Sequence, residues 1–263
     1  MKLFIVKGKD SGKSLLEKPS TRKNKYIRNI IKSMVVERVE SGIPGLDKII
    51  EGGFVKNSIN LVAGTTGTGK TIFGCQYILE GLKKGETGVY VTLEQPPEDI
   101  LADISRFGWD VLFKKYIDQN KLILYNTFPT SVQKLGESIF DLVRKINAKR
   151  LVLDSLSIAT AGWEETADTS KIRRNVFEAM TTLKKVGVTT LLLTEIPEDK
   201  AKALSRFGFE EFVADSVIIL HYLEYAAGGT PRSVIVRKMR RTDHGTDIYP
   251  LEITNKGIII KKS

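Results

Sequence analysis

Eight consecutive residues, Gly64-Thr65-Thr66-Gly67-Thr68-Gly69-Lys70-Thr71, read G-x-x-x-x-G-K-T. Glycines let backbone N–H groups turn toward a phosphate with no Cβ in the way, and a helix that follows adds the positive end of its dipole. In that setting Lys70 reaches the β- and γ-phosphates and the Thr71 hydroxyl serves as a magnesium ligand. The metal then needs a carboxylate. Arg150-Leu151-Val152-Leu153-Asp154 offers one, an aspartate closing an apolar run, where burial is costly unless a cation or donors are at hand. Hydrolysis also needs a group that activates water. Glu94-Gln95 closes the apolar run 89–93, and Glu94 is the expected general base, with Gln95 polarising the water or sensing the γ-phosphate. Taken alone, Glu94-Gln95 before Pro96-Pro97 is an ordinary helix start, and Asp154 an ordinary N-cap.

These groups act together only if the elements carrying them end at one place. Apolar runs at 59–63, 88–93, 121–125, 150–153, 188–194 and 216–220 are short and rich in Val, Ile and Leu, as strands buried on both faces are. Helical stretches fall between them, near 70–84, 97–106, 131–146 and 171–186. In the third, Leu135, Ile139, Leu142, Val143 and Ile146 share one face. The alternation predicts an α/β fold, a largely parallel sheet with right-handed crossovers and flanking helices. The runs 233–238, 248–253 and 258–261 lie closer together, with Asn255-Lys256-Gly257 as a turn, and predict antiparallel hairpins at one edge. Ligands of open parallel sheets collect at the carboxyl edge, where the loop, Asp154 and Glu94 would meet.

At 263 residues, 41% hydrophobic and 27% charged, the chain can bury a sizeable core, which excludes wholesale disorder. The net charge of +10 is unevenly spread: residues 1–34 hold ten Lys/Arg against Asp10 and Glu17 alone. A basic arm (1–34) therefore precedes a nearly neutral single domain (35–263). In the arm, Tyr26, Ile27, Ile30, Ile31 and Met34 fall at helical spacing. Such a segment suits a membrane surface, nucleic acid or a partner subunit, and its plainest reading is a solvated extension. A start at Met34 would leave it untranslated. Cys75 is the single cysteine, which excludes an intramolecular disulfide and a cysteine-based zinc site. His221 and His244 are too few for a histidine-ligated metal. No apolar run approaches the roughly 18 residues of a membrane span, so a cytoplasmic protein is expected.

Further short motifs accompany the phosphate loop in a fixed order. Ser41-Gly42-Ile43-Pro44-Gly45-Leu46-Asp47 and Gly52-Gly53 precede it. Leu93-Glu94-Gln95, Phe107-Gly108-Trp109-Asp110 and Leu153-Asp154-Ser155 follow. Last come Ser205-Arg206-Phe207-Gly208, Glu211-Phe212-Val213-Ala214-Asp215 and Lys238-Met239-Arg240-Arg241-Thr242-Asp243-His244. The set resembles the KaiC-like branch of the RecA/RadA superfamily of P-loop ATPases, over residues 35–263. The resemblance implies a RecA-like core that binds ATP with Mg2+ and assembles into a homo-oligomeric ring, commonly a hexamer, with nucleotide at subunit interfaces. It implies that Lys238 and Arg240 reach the neighbour's γ-phosphate and that Thr242 and His244 lie near the bound nucleotide. Positive charge supplied in trans to the developing phosphate oxygens would couple hydrolysis to assembly. Without the resemblance, this Lys/Arg run reads as a solvated hairpin.

The chain departs from the family pattern in two ways. Paired glutamates often stand where Glu94-Gln95 stands here, which leaves Glu94 to act alone. The clock protein that names the family has two tandem ATPase domains, one of which autophosphorylates. A single phosphate loop implies neither timekeeping nor autokinase activity. The expected function is a ring-forming regulatory ATPase with protein partners. A DNA-acting recombinase or motor is the rival, favoured by the arm. It is opposed by the neutral body and by Glu164, Glu165 and Asp168, which fall where relatives place DNA-contacting loops. A small-molecule kinase lacks its arginine-rich lid. Phe107, Trp109, Phe207 and Phe209 are expected in core or interface packing, and His221 in a structural role.

Overall fold

The computed structural model describes residues 36–128, 131–155, 169–197, 210–222 and 231–261. The arm, Glu164, Glu165, Asp168, Ser205, Arg206, Phe207, Gly208 and Phe209 lie outside the described residues. A short antiparallel pair, β1 (Arg38–Val39) and β2 (Phe54–Val55), brackets the one-turn helix α1 (Leu46–Ile49). β3 (Ile59–Gly64) leads through the glycine-rich loop into α2 (Lys70–Lys83), and β4 (Gly88–Thr92) follows. Helices α3 (Pro97–Ser105) and α4 (Trp109–Asp118) precede β5 (Leu122–Asn126). Next come α5 (Val132–Lys145), β6 (Arg150–Asp154), α6 (Thr169–Val186) and β7 (Thr189–Glu195). The short α7 (Glu210–Val213) leads to β8 (Ser216–Tyr222), β9 (Arg232–Met239), β10 (Tyr249–Thr254) and β11 (Gly257–Ile260).

Every strand and helix expected between residues 59 and 261 forms, with ends that move by one or two residues. α4 was not expected. Its N-cap is Gly108 in the left-handed region (φ 70°), with no side-chain cap, so the usual start signal is missing. Only Trp109 and Phe113 are fully buried, and Val111 faces outward. Trp109 and Phe107 pack ring to ring in this core, with centroids 4.7 Å apart.

Nine strands form one sheet in the order β11-β10-β9-β8-β3-β7-β6-β4-β5. From β8 to β5 all neighbours are parallel, and β9, β10 and β11 add antiparallel at one edge, as the closely spaced C-terminal runs predict. Strand residues alternate between two cores. Val152 points to the face of α2, α3 and α4, while Leu151 and Leu153 point to the face of α5 and α6. Cover on both faces explains why the strands read as unbroken apolar runs rather than as alternation. α2 is buried nearly all round because β11 closes its outer side. Gln76 Oε1 accepts the Ile258 N–H (2.8 Å), and its Nε2 donates to the carbonyls of Ile258 (3.0 Å) and Gly42 (2.8 Å).

Arg150 opens β6 and is 1% exposed. Its Nε donates to Glu86 Oε2 (2.5 Å), its Nη1 donates to the carbonyls of Glu40 and Tyr77 (2.8 Å each), and its guanidinium lies 4.6 Å from the Tyr77 ring centre. A buried cation is tolerable only with such a full set of acceptors. Arg150→Ala strips them of their donor and is expected to lower the unfolding free energy by about 3 kcal/mol. Urea denaturation measures this, and no loss would mean that the ion pair stabilises nothing.

Candidate active site

β3 is flanked in parallel by β7 and β8, so Gly64 emerges level with Glu195 and Leu220. The chain is crowded there. A Cβ on Gly64 would lie 2.7 Å from both the Leu220 carbonyl and Thr68 Oγ1, which explains the glycine. Thr68 Oγ1 donates to the Thr65 carbonyl (2.8 Å) and closes the loop, while Thr66 and Gly67 stand exposed at its tip. Gly69, at φ 98°, turns the chain into α2 as an N-cap with no side-chain cap. The first turn of α2 carries no acidic residue. Helix N–H groups left without a side-chain acceptor, on a first turn with no acidic residue of its own, suit an anion.

Lys70 Nζ donates to the carbonyls of Gly64 and Thr65, at 2.9 Å each. Burial lowers its pKa from the usual lysine range, and the charges of Glu195, Asp154 and Glu94 oppose that shift. Asp154 ends β6 and is 7% exposed. Its Oδ2 accepts from Thr71 Oγ1 (2.9 Å) and from the Tyr90 phenol (2.7 Å), itself fully buried on β4. Burial holds the carboxyl above the usual aspartate range despite these two donors. Asp154 thus spends its Oδ2 on α2 and β4. One hydroxyl and one buried carboxylate, side by side, are hard oxygen ligands of the kind magnesium takes beside phosphates and water. Among the described residues no cluster of three His, Cys, Asp or Glu could hold a metal unaided, so such an ion would depend on phosphate oxygens.

Glu94 stands exposed just past β4, and its Oε1 accepts from Ser155 Oγ, the residue after Asp154. The Leu93 N–H donates to the Asp154 carbonyl (2.6 Å), which binds the two strand ends together. α3 begins only at Pro97 with Pro96 as N-cap, so Glu94 and Gln95 belong to the turn before the helix. The structure thus brings together Gly64, Thr65, Thr66, Gly67, Thr68, Gly69, Lys70, Thr71, Asp154 and Glu94 at the carboxyl edge.

Lys238, Arg240, Thr242 and His244 are not brought there. β9 runs antiparallel, which puts Met239 level with Ser216 and Arg240 beside Asp215, at the sheet's amino edge. Arg240 is level with Ile59, about 16 Å along the strand from Gly64. Lys238 Nζ donates to the carbonyls of Glu211 (2.9 Å) and Ala214 (2.7 Å), and burial lowers its pKa. Arg240 Nη1 is 3.5 Å from Asp215 Oδ1, and Asp215 also pairs with Lys184 (2.7 Å). Thr242 Oγ1 accepts from Arg38 Nη1 (3.0 Å), and His244 Nδ1 lies 3.0 Å from the Gly245 carbonyl. His221 is exposed on β8.

Sequence reasoning missed four residues at the carboxyl edge: Tyr90, Ser155, Glu195 and Arg232. Arg232 opens β9 and donates Nε to the Gly67 carbonyl (3.0 Å), with its guanidinium 4.9 Å from the Tyr222 ring centre. The available signal was modest, a phenol inside one apolar run and a glutamate closing another.

A family model described as "ATPase: KaiC" matches residues 39–263. The chain belongs to the KaiC-like ATPase family. It is 35% identical over 237 residues to the circadian clock protein KaiC3 of Synechocystis sp., covering 86% of this chain and 46% of that one. It is 36% identical over 249 residues to the circadian clock oscillator protein KaiC of Prochlorococcus marinus, covering 90% and 47%. The chain thus spans about half the length of these clock proteins. A crystal structure of a KaiC-like protein from the hyperthermophilic archaeon Pyrococcus horikoshii matches at 41% identity and TM-score 0.77, over 87% of this chain and all of that one. Nucleotide binding and a RecA-like core follow from membership in this ATPase family.

A KaiC-like site that buries Asp154 holds a charge at the expense of stability. Asp154→Asn keeps an oxygen for Thr71 and Tyr90 and removes that charge. It is expected to raise the melting temperature of the nucleotide-free protein by about 2–4 °C for each kcal/mol regained. Differential scanning fluorimetry tests this, and a lower melting temperature would contradict it.

Proposed function

We propose that this chain is a magnesium-dependent ATPase that works as a homo-oligomeric ring, with each nucleotide site completed by the neighbouring copy. The carrying observation is the Thr71–Asp154 hydrogen bond with Glu94 beside it on Ser155, all at the mouth of the phosphate loop. Loop N–H groups and Lys70 would hold the phosphates, with Lys70 exchanging the Gly64 and Thr65 carbonyls for phosphate oxygens. Thr71 and Asp154 would hold Mg2+, Asp154 through a water. When bound, the ion neutralises charge on the β- and γ-phosphate oxygens. Glu94 would take the proton of the attacking water, exposed as it is toward the loop's mouth.

Lys238 and Arg240 stand too far from their own loop to touch its nucleotide. Their place at the opposite edge supports action on a neighbour's γ-phosphate, with Thr242 and His244 near the same nucleotide. A head-to-tail contact that repeats this pairing closes into a ring, of which a hexamer is one size. Nucleotide state would then set ring shape, to be read by protein partners. No helix among the described residues is long and apolar enough to cross a membrane, and the single thiol, Cys75, is buried and free, which suits a reducing cytoplasm. The clock roles named for the longer relatives are not part of this reading.

A nucleic-acid-stimulated motor is a second reading, favoured by one surface. Lys171, Arg173 and Arg174 lie exposed on α6 near Phe177 (57% exposed) and Phe212 (62% exposed), with Arg173 5.8 Å from the Phe212 ring centre. Cations beside bare rings suit single-stranded nucleic acid.

Lys70→Ala is expected to abolish nucleotide binding, while Glu94→Gln keeps binding and loses about 10²-fold or more of turnover. Full turnover in Glu94→Gln would remove it from the mechanism. Mixing inactive Lys70→Ala with inactive Arg240→Ala should restore part of the turnover, because a mixed interface joins an intact loop to an intact finger. No recovery would count against action in trans. Steady-state turnover with and without single-stranded DNA across a salt series separates the two readings: indifference is expected, and strong, salt-sensitive stimulation would favour the motor.

A further inference from the structure

The turn that carries Glu94 is held by side chains to which the mechanism above gives no part. Thr92, the last residue of β4 and 1% exposed, spans it: Oγ1 donates to the Gln95 carbonyl (2.7 Å) and accepts the Gln95 N–H (3.1 Å). Asn126 is level with Thr92 in the β4–β5 ladder. Its Nδ2 donates to the carbonyls of Thr92 and Gln95, both at 3.2 Å. Ser155 Oγ then holds the Glu94 carboxylate from the other side. Glu94 hangs between two fixed points: the turn on either side of it is held by Thr92 and Asn126, and its carboxylate by Ser155.

We infer that Asn126 is a positioning residue for water activation: its amide locks the 92–95 turn so that Glu94 stands beside Asp154 at the mouth of the loop. The inference rests on the assignment of Glu94 as general base. Asparagine suits the task because its Nδ2 carries two N–H groups and two carbonyls face it, whereas a carboxylate there would set acceptor against acceptor. The position suits it as well. β5 is the last strand of the sheet on that side, and Asn126 is its last residue, so the amide supplies donors where the ladder ends. A base displaced by about 1 Å loses on the order of 10²-fold in rate, so fixing the turn matters to chemistry more than to binding. The groups assigned to phosphate lie on the loop between β3 and α2, and β7 and β6 stand between β3 and the strands that carry Thr92 and Asn126.

The test compares four full-length proteins: the unaltered chain, Asn126→Ala, Glu94→Gln and the double variant. Each is measured for steady-state ATP turnover, affinity for a fluorescent ATP analogue, and melting temperature. Asn126→Ala is expected to lower kcat about tenfold or more with nucleotide affinity unchanged, and to add nothing to the loss already present in Glu94→Gln. An unchanged kcat in Asn126→Ala beside a slow Glu94→Gln would overturn the inference and leave the base assignment standing. The same fractional loss in both backgrounds would overturn it too, because Asn126 would then act elsewhere. A fast Glu94→Gln would overturn the base assignment and this inference with it. Should Asn126→Ala fail to fold, Asn126→Asp, of equal shape with acceptors for donors, must show the same loss confined to kcat.

Discussion

A carboxylate buried at the end of an apolar strand is an expensive thing to fold, and Asp154 constrains most of what surrounds it. β6 lies between β7 and β4 with helices over both faces, so water gives that carboxylate little relief. The donors it finds are two hydroxyls, Tyr90 from β4 and Thr71 from α2, which meet on a single oxygen. That convergence fixes the first turn of α2 against the end of β6 and thereby the mouth of the phosphate loop. Neither hydroxyl neutralises the charge, and the remaining demand for a cation is what makes the place chemically useful.

Parallel strands give the sheet two unlike edges, and the chain's charged groups divide between them. The carboxyl edge gathers the loop, Asp154, Glu94, Glu195 and Arg232. The amino edge gathers Lys184, Lys238 and Arg240 around Asp215, whose Oδ2 also accepts the Ile59 N–H at 2.9 Å. Asp215 therefore anchors the start of β3 while holding cations near the surface. Phosphates held at one edge would meet the cations of the other edge only across a head-to-tail contact, which is the geometry the proposed ring uses.

Most of the fold was legible because each strand is a short apolar run and each crossover helix keeps its period. Contacts across strands were not. Tyr90 reads as one more residue of a buried run, yet its phenol reaches Asp154 because β4 neighbours β6 and not β3. Asn126 reads as the polar end of a strand, and its bearing on Glu94 depends on β5 pairing with β4. α4 was missed because its cap is a left-handed glycine with no side-chain acceptor.

The sequence by itself determined the phosphate loop, the alternation of strands and helices, and which residue types close the strands. These are local properties, set by backbone freedom at glycine and by the period of apolar residues. Only the tertiary structure decided which strand ends meet, and so which donors reach Asp154 and Glu94. Only it placed Lys238 and Arg240 an entire strand length from their own loop. The physical reason is that strand order and direction are settled by packing two apolar faces at once, and no residue's neighbours in the chain record that choice.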